Sequence, residues 1–416
     1  MTPASDRASA ADTMERMPHS STVHIDLGRL AANTRAWRAL LAETAAQPPK
    51  LCAIVKADAY GLGAVTIAAA MEAEGVDMLA VYSLEQALPL LGAGVTTPLL
   101  VLMPTHHLPD EPPLADALRR GQMHWSIDAA DVLVALSQAI ESTGGTLHAH
   151  LNLDTGMSRG GMDATTFGGV LAQCRSLPAV RVAGVYTHFA SPIVDFDYMQ
   201  QQLAAFDDAL ARHADDIPAD ALVHTAGTCA ALRSRQTHRD MVRVGLGLYG
   251  YGPQLLPAGT LLDSGIDLQP IVRWTSRIVH IQRLARGRTV GYKRMHQLRR
   301  DSVLGLVPVG HGDGYPVALS DNSVVELAGG RSAPLLGMVN MDQIIVDLTD
   351  AGDTAVGDEV TLLSDRPDSP CHPAELARRA KTNVYEMLCR LCARLPRCYV
   401  AADASASRSE ASSATR

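Results

Sequence analysis

The chain has 416 residues, which at ~150 residues per domain sets an expectation of two or three domains. With 47% hydrophobic and 19% charged residues it can build sizeable cores, and collagen, coiled coil and wholesale disorder are excluded. Lys and Arg total 36 against 44 Asp and Glu, a net charge of −8, which argues against a nucleic-acid or anionic-membrane binder.

In chain order, residues 1–20 read as a small, polar tail; Asp6, Asp12 and Glu15 interrupt any apolar stretch, so it does not read as a secretory signal. No run reaches the ~20 apolar residues of a transmembrane helix, and a cytoplasmic protein is expected. Segment 21–35, beginning STVHIDL, is expected to supply a strand that pairs with a later β-domain. Within 36–253 short apolar runs recur: LCAIVKA, MLAVYS, PLLVLM, MHWSID, LHAHLNL, RVAGVYTH, ALVHTAG and MVRVGLGL. Most gaps between them show helical periodicity, as in QQLAAFDDALARHADD from 201. Strand–helix alternation implies parallel strands, and eight regularly spaced units favour a (β/α)8 TIM-type barrel over a doubly wound sheet.

From 254 to 401 the texture becomes β-rich, with IVRWTSRIVHIQRL, VLGLVPVG, NMDQIIVDL and DEVTLLS separated by turn signals. A mostly antiparallel β-domain is expected, closed by one helical stretch, HPAELARRAKTNVYEMLCRLCARL. Residues 402–416 are a low-complexity Ala/Ser tail. The seven cysteines are scattered, and the single C-x-x-C, Cys389 and Cys392, reads as two small residues on a helix; no metal site is expected.

The segment with most chemistry is AIVKADAYGLGA, 53–64. Lys56 ends the first barrel run, and active sites of this fold gather at the C-terminal ends of the strands. Removal from water there lowers a lysine pKa and suits it to Schiff-base chemistry. By position alone, a strand-end lysine is ordinarily just solvated.

V-K-A-D-A-Y-G-x-G is similar to the pyridoxal-phosphate signature of the alanine racemase family, and the chain resembles that family from about 22 to 400. Further motifs follow in the family's order: YTHFAS at 186, HTAGT at 224, RVGLGLYGYGP at 243, VGYKRM at 290, GHGDGYP at 310, then GMVNMDQ and VGDEV. The resemblance implies a pyridoxal 5′-phosphate barrel with a C-terminal β-domain, a head-to-tail homodimer with shared active sites, and interconversion of L- and D-alanine for peptidoglycan or alanine catabolism.

By motif match, Lys56 resembles the Schiff-base lysine and the base on one face of the substrate Cα, and Tyr292 the opposite-face acid/base from the other subunit. Racemisation needs such a pair, because the proton is removed from one side and returned from the other. Arg243 matches the arginine facing the pyridine nitrogen. A guanidinium cannot accept that ring's proton, so the electron sink is weakened and transamination restrained. His188 matches the histidine linking that arginine to the catalytic tyrosine, and that link would lower the tyrosine pKa. Tyr60, Tyr385, Thr228 and the backbone N–H groups of Gly245 and Leu246 match positions that hold the phosphate. Arg159 matches the arginine near the substrate carboxylate, and Met341 and Asp342 match residues completing the substrate pocket. Taken alone, His188 reads as a core histidine, Arg243 as an ion-pair partner and Met341 as core.

Three positions depart from the family's common pattern. Asn152 stands where many members carry a carbamylated lysine; by the resemblance, a bound anion such as chloride near Asn152 is one way to supply the missing charge. His311 replaces an entrance tyrosine, and Met338 replaces an arginine. These leave open a serine, lysine or broad-specificity racemase; a barrel-type decarboxylase and a non-catalytic pyridoxal-phosphate-binding protein are the remoter alternatives.

Overall fold

The structure is a computed structural model that describes residues 20–43, 47–262 and 265–400. It divides into two compact units, Arg29–Gln269 and the residues up to Gly28 together with those from Pro270 onward. The tails expected at 1–20 and 402–416 lie outside the described residues, Ser20 apart.

In the unit Arg29–Gln269 all eight apolar runs are strands. They are β2 (Lys50–Ile54), β3 (Met78–Val81), β4 (Leu99–Val101), β5 (Met123–Ile127), β6 (Leu147–Asn152), β7 (Val180–Tyr186), β8 (Leu222–His224) and β9 (Met241–Val244), β1 being the earlier Thr22–Asp26. Every ladder in this sheet is parallel, in the order β8-β7-β6-β5-β4-β3-β2-β9. The open ends meet just past β8, where Gly227 bridges Arg243 and Arg243 N–H donates to Ala226 O at 2.9 Å. Sequential order and this closing bridge make it a barrel rather than a doubly wound sheet.

Helices between the strands bury one apolar stripe each. In Ala130–Glu141, Leu133, Leu136 and Ile140 are fully buried at helical spacing, each worth about 1.5–3 kcal/mol relative to an exposed position. A polar cap starts the helix Ala164–Cys174, where Asp163 accepts from Thr165 and Thr166 N–H at 2.9 and 2.8 Å, a feature worth about 1 kcal/mol.

The compact unit Arg29–Gln269 takes in residues on either side of the expected 36–253. The first strand spans only Thr22–Asp26, because the helix Leu27–Ala42 begins directly after it and buries Leu30, Trp37, Leu40 and Leu41. At the other end, the buried Asn33 amide donates to Leu248 O (3.0 Å) and Gln269 O (2.8 Å) and accepts from Gln269 N–H (2.8 Å). Those bonds hold the segment running to Gln269 within the barrel's unit.

The other unit contains a six-stranded, a three-stranded and a two-stranded sheet. Its strands are β10 (Val272–Arg277), β11 (His280–Leu284), β12 (Thr289–Val290), β13 (His296–Gln297), β14 (Ser302–Val307), β15 (Val324–Leu327), β16 (Ser332–Pro334), β17 (Ile344–Asp347), β18 (Glu359–Leu363) and β19 (Arg397–Val400). All pairings are antiparallel except β1 with β19, and β1 sits between β10 and β19. The closing helical stretch is two helices, Pro373–Ala380 and Val384–Cys389. Lys381 at φ 53° ends the first, and Asn383 caps the second by accepting from Glu386 N–H at 3.0 Å. Cys389 is the exposed last residue of that helix and Cys392 lies beyond it, so the pair does not share a helix.

Candidate active site

Lys56 lies two residues past β2, held by Val55 N–H donating to Ala80 O at 2.9 Å. The next four residues, Ala57, Asp58, Ala59 and Tyr60, all have φ between 51° and 59°, one turn of left-handed helix built without glycine. Each residue there costs about 1–2 kcal/mol. The turn is fastened from outside: Gln86 Oε1 accepts from Ala57 and Tyr82 N–H (3.2 and 3.1 Å), and Asp58 Oδ1 accepts from Ala64 N–H (2.7 Å). This arrangement fixes the chain immediately after the lysine and turns Tyr60 inward, where it is 5% exposed.

Tyr60 packs edge-on against Tyr249 at 5.1 Å, and the Tyr249 hydroxyl donates to Ile54 O at 3.0 Å. A Cβ on Gly245 would lie 2.2 Å from the Tyr60 hydroxyl, and one on Gly247 2.7 Å from the Trp37 ring. Thr228 opens the short helix Thr228–Arg233, and its Oγ1 accepts from Gly245 and Gly247 N–H, both at 3.3 Å. A hydroxyl, a second hydroxyl and backbone amides are thus gathered around a strand end stripped of side chains, next to the buried Leu246.

Arg243 on β9 is almost wholly buried. Its Nη1 donates to His224 Nδ1 (2.7 Å) and His224 O (3.0 Å). Its Nη2 donates to Thr187 O (2.7 Å), Thr225 O (3.0 Å) and His188 Nδ1 (3.1 Å). The guanidinium also lies over the Tyr186 ring, 5.1 Å from its centroid. Among the described residues none accepts from its Nε–H. Because a guanidinium only donates, both histidines present an unprotonated Nδ1. Burial first, then the charges of Arg243, Arg159 and Lys56, pushes His188 down to about 3. Three cationic side chains named from separate motifs therefore bear on one imidazole.

Arg159 sits in the exposed loop after β6, whose backbone is organised by Asp154 Oδ1 accepting from Gly156 (2.9 Å), Met157 (2.8 Å) and Ser158 (3.1 Å) N–H. Among the described residues Arg159 has no hydrogen-bond or ion-pair partner. Asn152, half-buried at the end of β6, lies so close to Gly161 that a Cβ there would be 3.2 Å from its amide.

The remaining candidates belong to the other unit. Tyr292 follows Gly291 (φ 70°) in a short turn and is 69% exposed. Met341 is 62% exposed, in a turn ahead of β17 rather than in the core. Its carbonyl accepts from Gly312 N–H (2.8 Å), and Asn340 O accepts from His311 N–H (2.9 Å), so the GHGDG and NMD loops are zipped together. Arg394 fastens both, donating Nε–H to the buried Asp313 and Nη2–H to Asp342, each at 2.7 Å. Tyr385 lies in Val384–Cys389, partly exposed. Met338 N lies 3.5 Å from the place a Cβ on Gly291 would occupy.

Sequence reasoning does not single out Arg394, His224, Gln86 or Asp313. For His224 a signal existed, in the alternation of His148 and His150 on one face of a strand and a third histidine in HTAGT; for Gln86 and Arg394 there is none.

Barrel, strand-end lysine and buried arginine together define a barrel of the kind that binds pyridoxal phosphate. The residues fit that group: an arginine, Arg243, whose two Nη groups are engaged by the protein while its Nε–H is not, a glycine cradle under a tyrosine hydroxyl, and a lysine held at the same barrel end. Residues 25–253 match the family model "Alanine racemase, N-terminal domain" and 271–399 match "Alanine racemase, C-terminal domain". The alanine racemase of Desulfovibrio desulfuricans is 35% identical over 382 residues, covering 90% of this chain and 97% of its own. The crystal structure of alanine racemase from D-cycloserine-producing Streptomyces lavendulae superposes with a TM-score of 0.82 at 30% identity, over 92% of this chain and 98% of that one. The alanine racemase of Bartonella henselae, solved with covalently bound pyridoxal phosphate, gives 0.77 at 26% identity over 92% and 100%. The chain belongs to the alanine racemase family, whose members are pyridoxal-phosphate-dependent isomerases.

Proposed function

We propose that this chain interconverts L- and D-alanine with bound pyridoxal 5′-phosphate, as a cytoplasmic homodimer with shared sites. The observation that carries the reading is the buried Arg243, bonded to His188 at 3.1 Å, at the barrel end where Lys56 follows β2 and a glycine cradle faces Tyr60. When bound, the cofactor supplies a conjugated ring that draws electron density from the substrate α-carbon and so acidifies its hydrogen.

Lys56 carries the cofactor and moves the α-proton at Nζ on one face. Tyr292, from the neighbouring subunit, moves it at the hydroxyl on the other face, which is why a racemase needs two such groups. Its exposure in the chain supports a role toward a second copy. Arg243 offers its free Nε–H to the ring nitrogen without giving the proton up, which keeps electron withdrawal modest and side reactions rare. Tyr60, Tyr385, Thr228 and the amides of Gly245 and Leu246 hold the phosphate. Arg159 orients the substrate carboxylate, and Met341 and Asp342, fixed by the Gly312 and Arg394 bonds, shape the pocket.

A second reading, a broader substrate range, has its own support. Arg159 lacks a protein partner among the described residues and Asn152 carries no charge, so a chloride near Asn152 would orient it and leave it adjustable. Incubating the holoenzyme with L-alanine, L-serine, L-lysine and L-arginine separately, followed by chiral chromatography, tests both. D-alanine as the fastest product supports the first reading, faster D-serine or D-lysine the second; no D-product sinks both.

A further inference from the structure

A line of imidazoles runs through the barrel interior behind Arg243. His224 Nδ1 accepts from Arg243, and His224 Nε2 lies 2.9 Å from Nδ1 of His150 in β6. His150 Nε2 lies in turn 3.0 Å from Nδ1 of His124 in β5. His224 and His150 are fully buried, whereas His124 is half-buried and stacks on His148 at 4.8 Å. His124 and His148 are the second residues of their strands, so the line leads from the end that carries Lys56 to the opposite end.

The direction of every bond follows from the guanidinium, which has no lone pair. His224 must present a bare Nδ1, so its hydrogen is on Nε2 and donates to His150. The same step repeats from His150 to His124. A proton added to His150 or His124 would set two N–H groups against each other. Burial is the first cause of the low pKa values of both rings, about 3 for His150 and about 2 for His124. Nearby histidines come next: His148 and then Arg243 act on His150, while His150, His148, Arg181 and Lys50 act on His124.

The backbone is shaped around the line. The β6–β7 register slips between Ala149 and His150, setting Gly184 opposite His150. A Cβ on Gly184 would lie 2.4 Å from His150 Nδ1. Tyr186 stacks flat on His224, 4.9 Å away at 4°.

We propose that His224, His150 and His124 are positioning residues for Arg243: neutral imidazoles in one fixed tautomer that hold the guanidinium toward the cofactor's ring nitrogen. This rests on the role proposed for Arg243. Each donated hydrogen makes the nitrogen behind it a better acceptor, so the grip on Arg243 depends on rings it does not touch.

The test uses holoenzyme labelled with 15N-histidine. At neutral pH His224, His150 and His124 show a protonated Nε2 and a bare Nδ1. His150→Leu, which removes acceptor and donor, shifts the His224 Nδ1 signal and lowers kcat by up to about a hundredfold with KM little changed, the size a misplacement of about 1 Å can cost. Gly184→Ala, which displaces the His150 ring, does the same. His150→Gln, which keeps one acceptor and one donor, restores the signal and most of kcat. A cationic or Nδ1-protonated ring in the line would overturn the proposal. So would an unmoved His224 signal in both His150→Leu and Gly184→Ala, or a His150→Gln variant as impaired as His150→Leu. Correct tautomers in a protein that racemises nothing would instead overturn the proposed activity, so the two failures are distinguishable.

Discussion

Gly245 and Tyr60 are sterically matched: any side chain at 245 would put its Cβ 2.2 Å from the Tyr60 hydroxyl. The glycine keeps a strand end open beneath a phenol that is held by Tyr249 and by a strained left-handed turn. Gly245→Ala is therefore expected to displace Tyr60 and weaken cofactor retention by tenfold or more, about 1.4 kcal/mol, while the fold persists. Equilibrium dialysis of pyridoxal phosphate against both proteins measures it; equal retention would show that the cradle does not hold the phosphate.

Lys56 is expected to carry the cofactor. Borohydride treatment of the loaded protein, followed by peptide mass spectrometry, should place a pyridoxyl group on Lys56. A label on another lysine, or full racemase activity in Lys56→Ala, would refute the assignment.

Tyr292, 69% exposed, is assigned to the neighbour's site. Mixing inactive Lys56→Ala and Tyr292→Phe proteins under subunit exchange should restore part of the activity, since each heterodimer regenerates one intact site. Verified exchange without recovery would place both residues in one chain's site.

Asn152 and Arg159 predict a response to chloride. A partly dry charge pair can contribute a few kcal/mol of positioning, a solvated one ~1 or less. kcat/KM should fall as chloride is replaced by a bulky anion at constant ionic strength. A flat profile together with a fully active Asn152→Ala would mean that Arg159 is held by other groups.

His150 and His188 are pushed down to about 3 in the fold, burial leading in both cases. Unfolded rings protonate near 6.5, so below that pH the unfolded state binds more protons than the folded one. Stability is fully present above pH 6.5 and is lost as pH falls toward 3. For a fully buried ring such as His150 the loss is up to ~1.4 kcal/mol per pH unit. Tm should fall between pH 7 and pH 5, and less steeply in His150→Gln; identical slopes would contradict the linkage.

The barrel strands were legible because parallel strands covered on both faces read as unbroken apolar runs. The break at Lys381 was not, since nothing in RRAKTN marks a lysine for φ 53°. Nor was the left-handed turn after Lys56, made of Ala, Asp, Ala and Tyr. Met341 sits among β-forming residues, yet its backbone is occupied in zipping two loops and its side chain is left outside. The His148 and His150 alternation hints at the histidine line, but its connections do not show in the sequence, because its bonds join residues 19, 74 and 26 positions apart.

The most direct measurement follows alanine itself. Starting separately from L-alanine and from D-alanine in deuterated water, chiral chromatography with mass spectrometry should show both reactions converging on an equal mixture. The enantiomers are equal in free energy, and the inverted product should carry deuterium at Cα, because its proton is returned from the face opposite the one that lost it. No inversion of either enantiomer by the fully loaded protein, or inversion that retains the original hydrogen throughout, would contradict two-sided proton transfer by Lys56 and Tyr292.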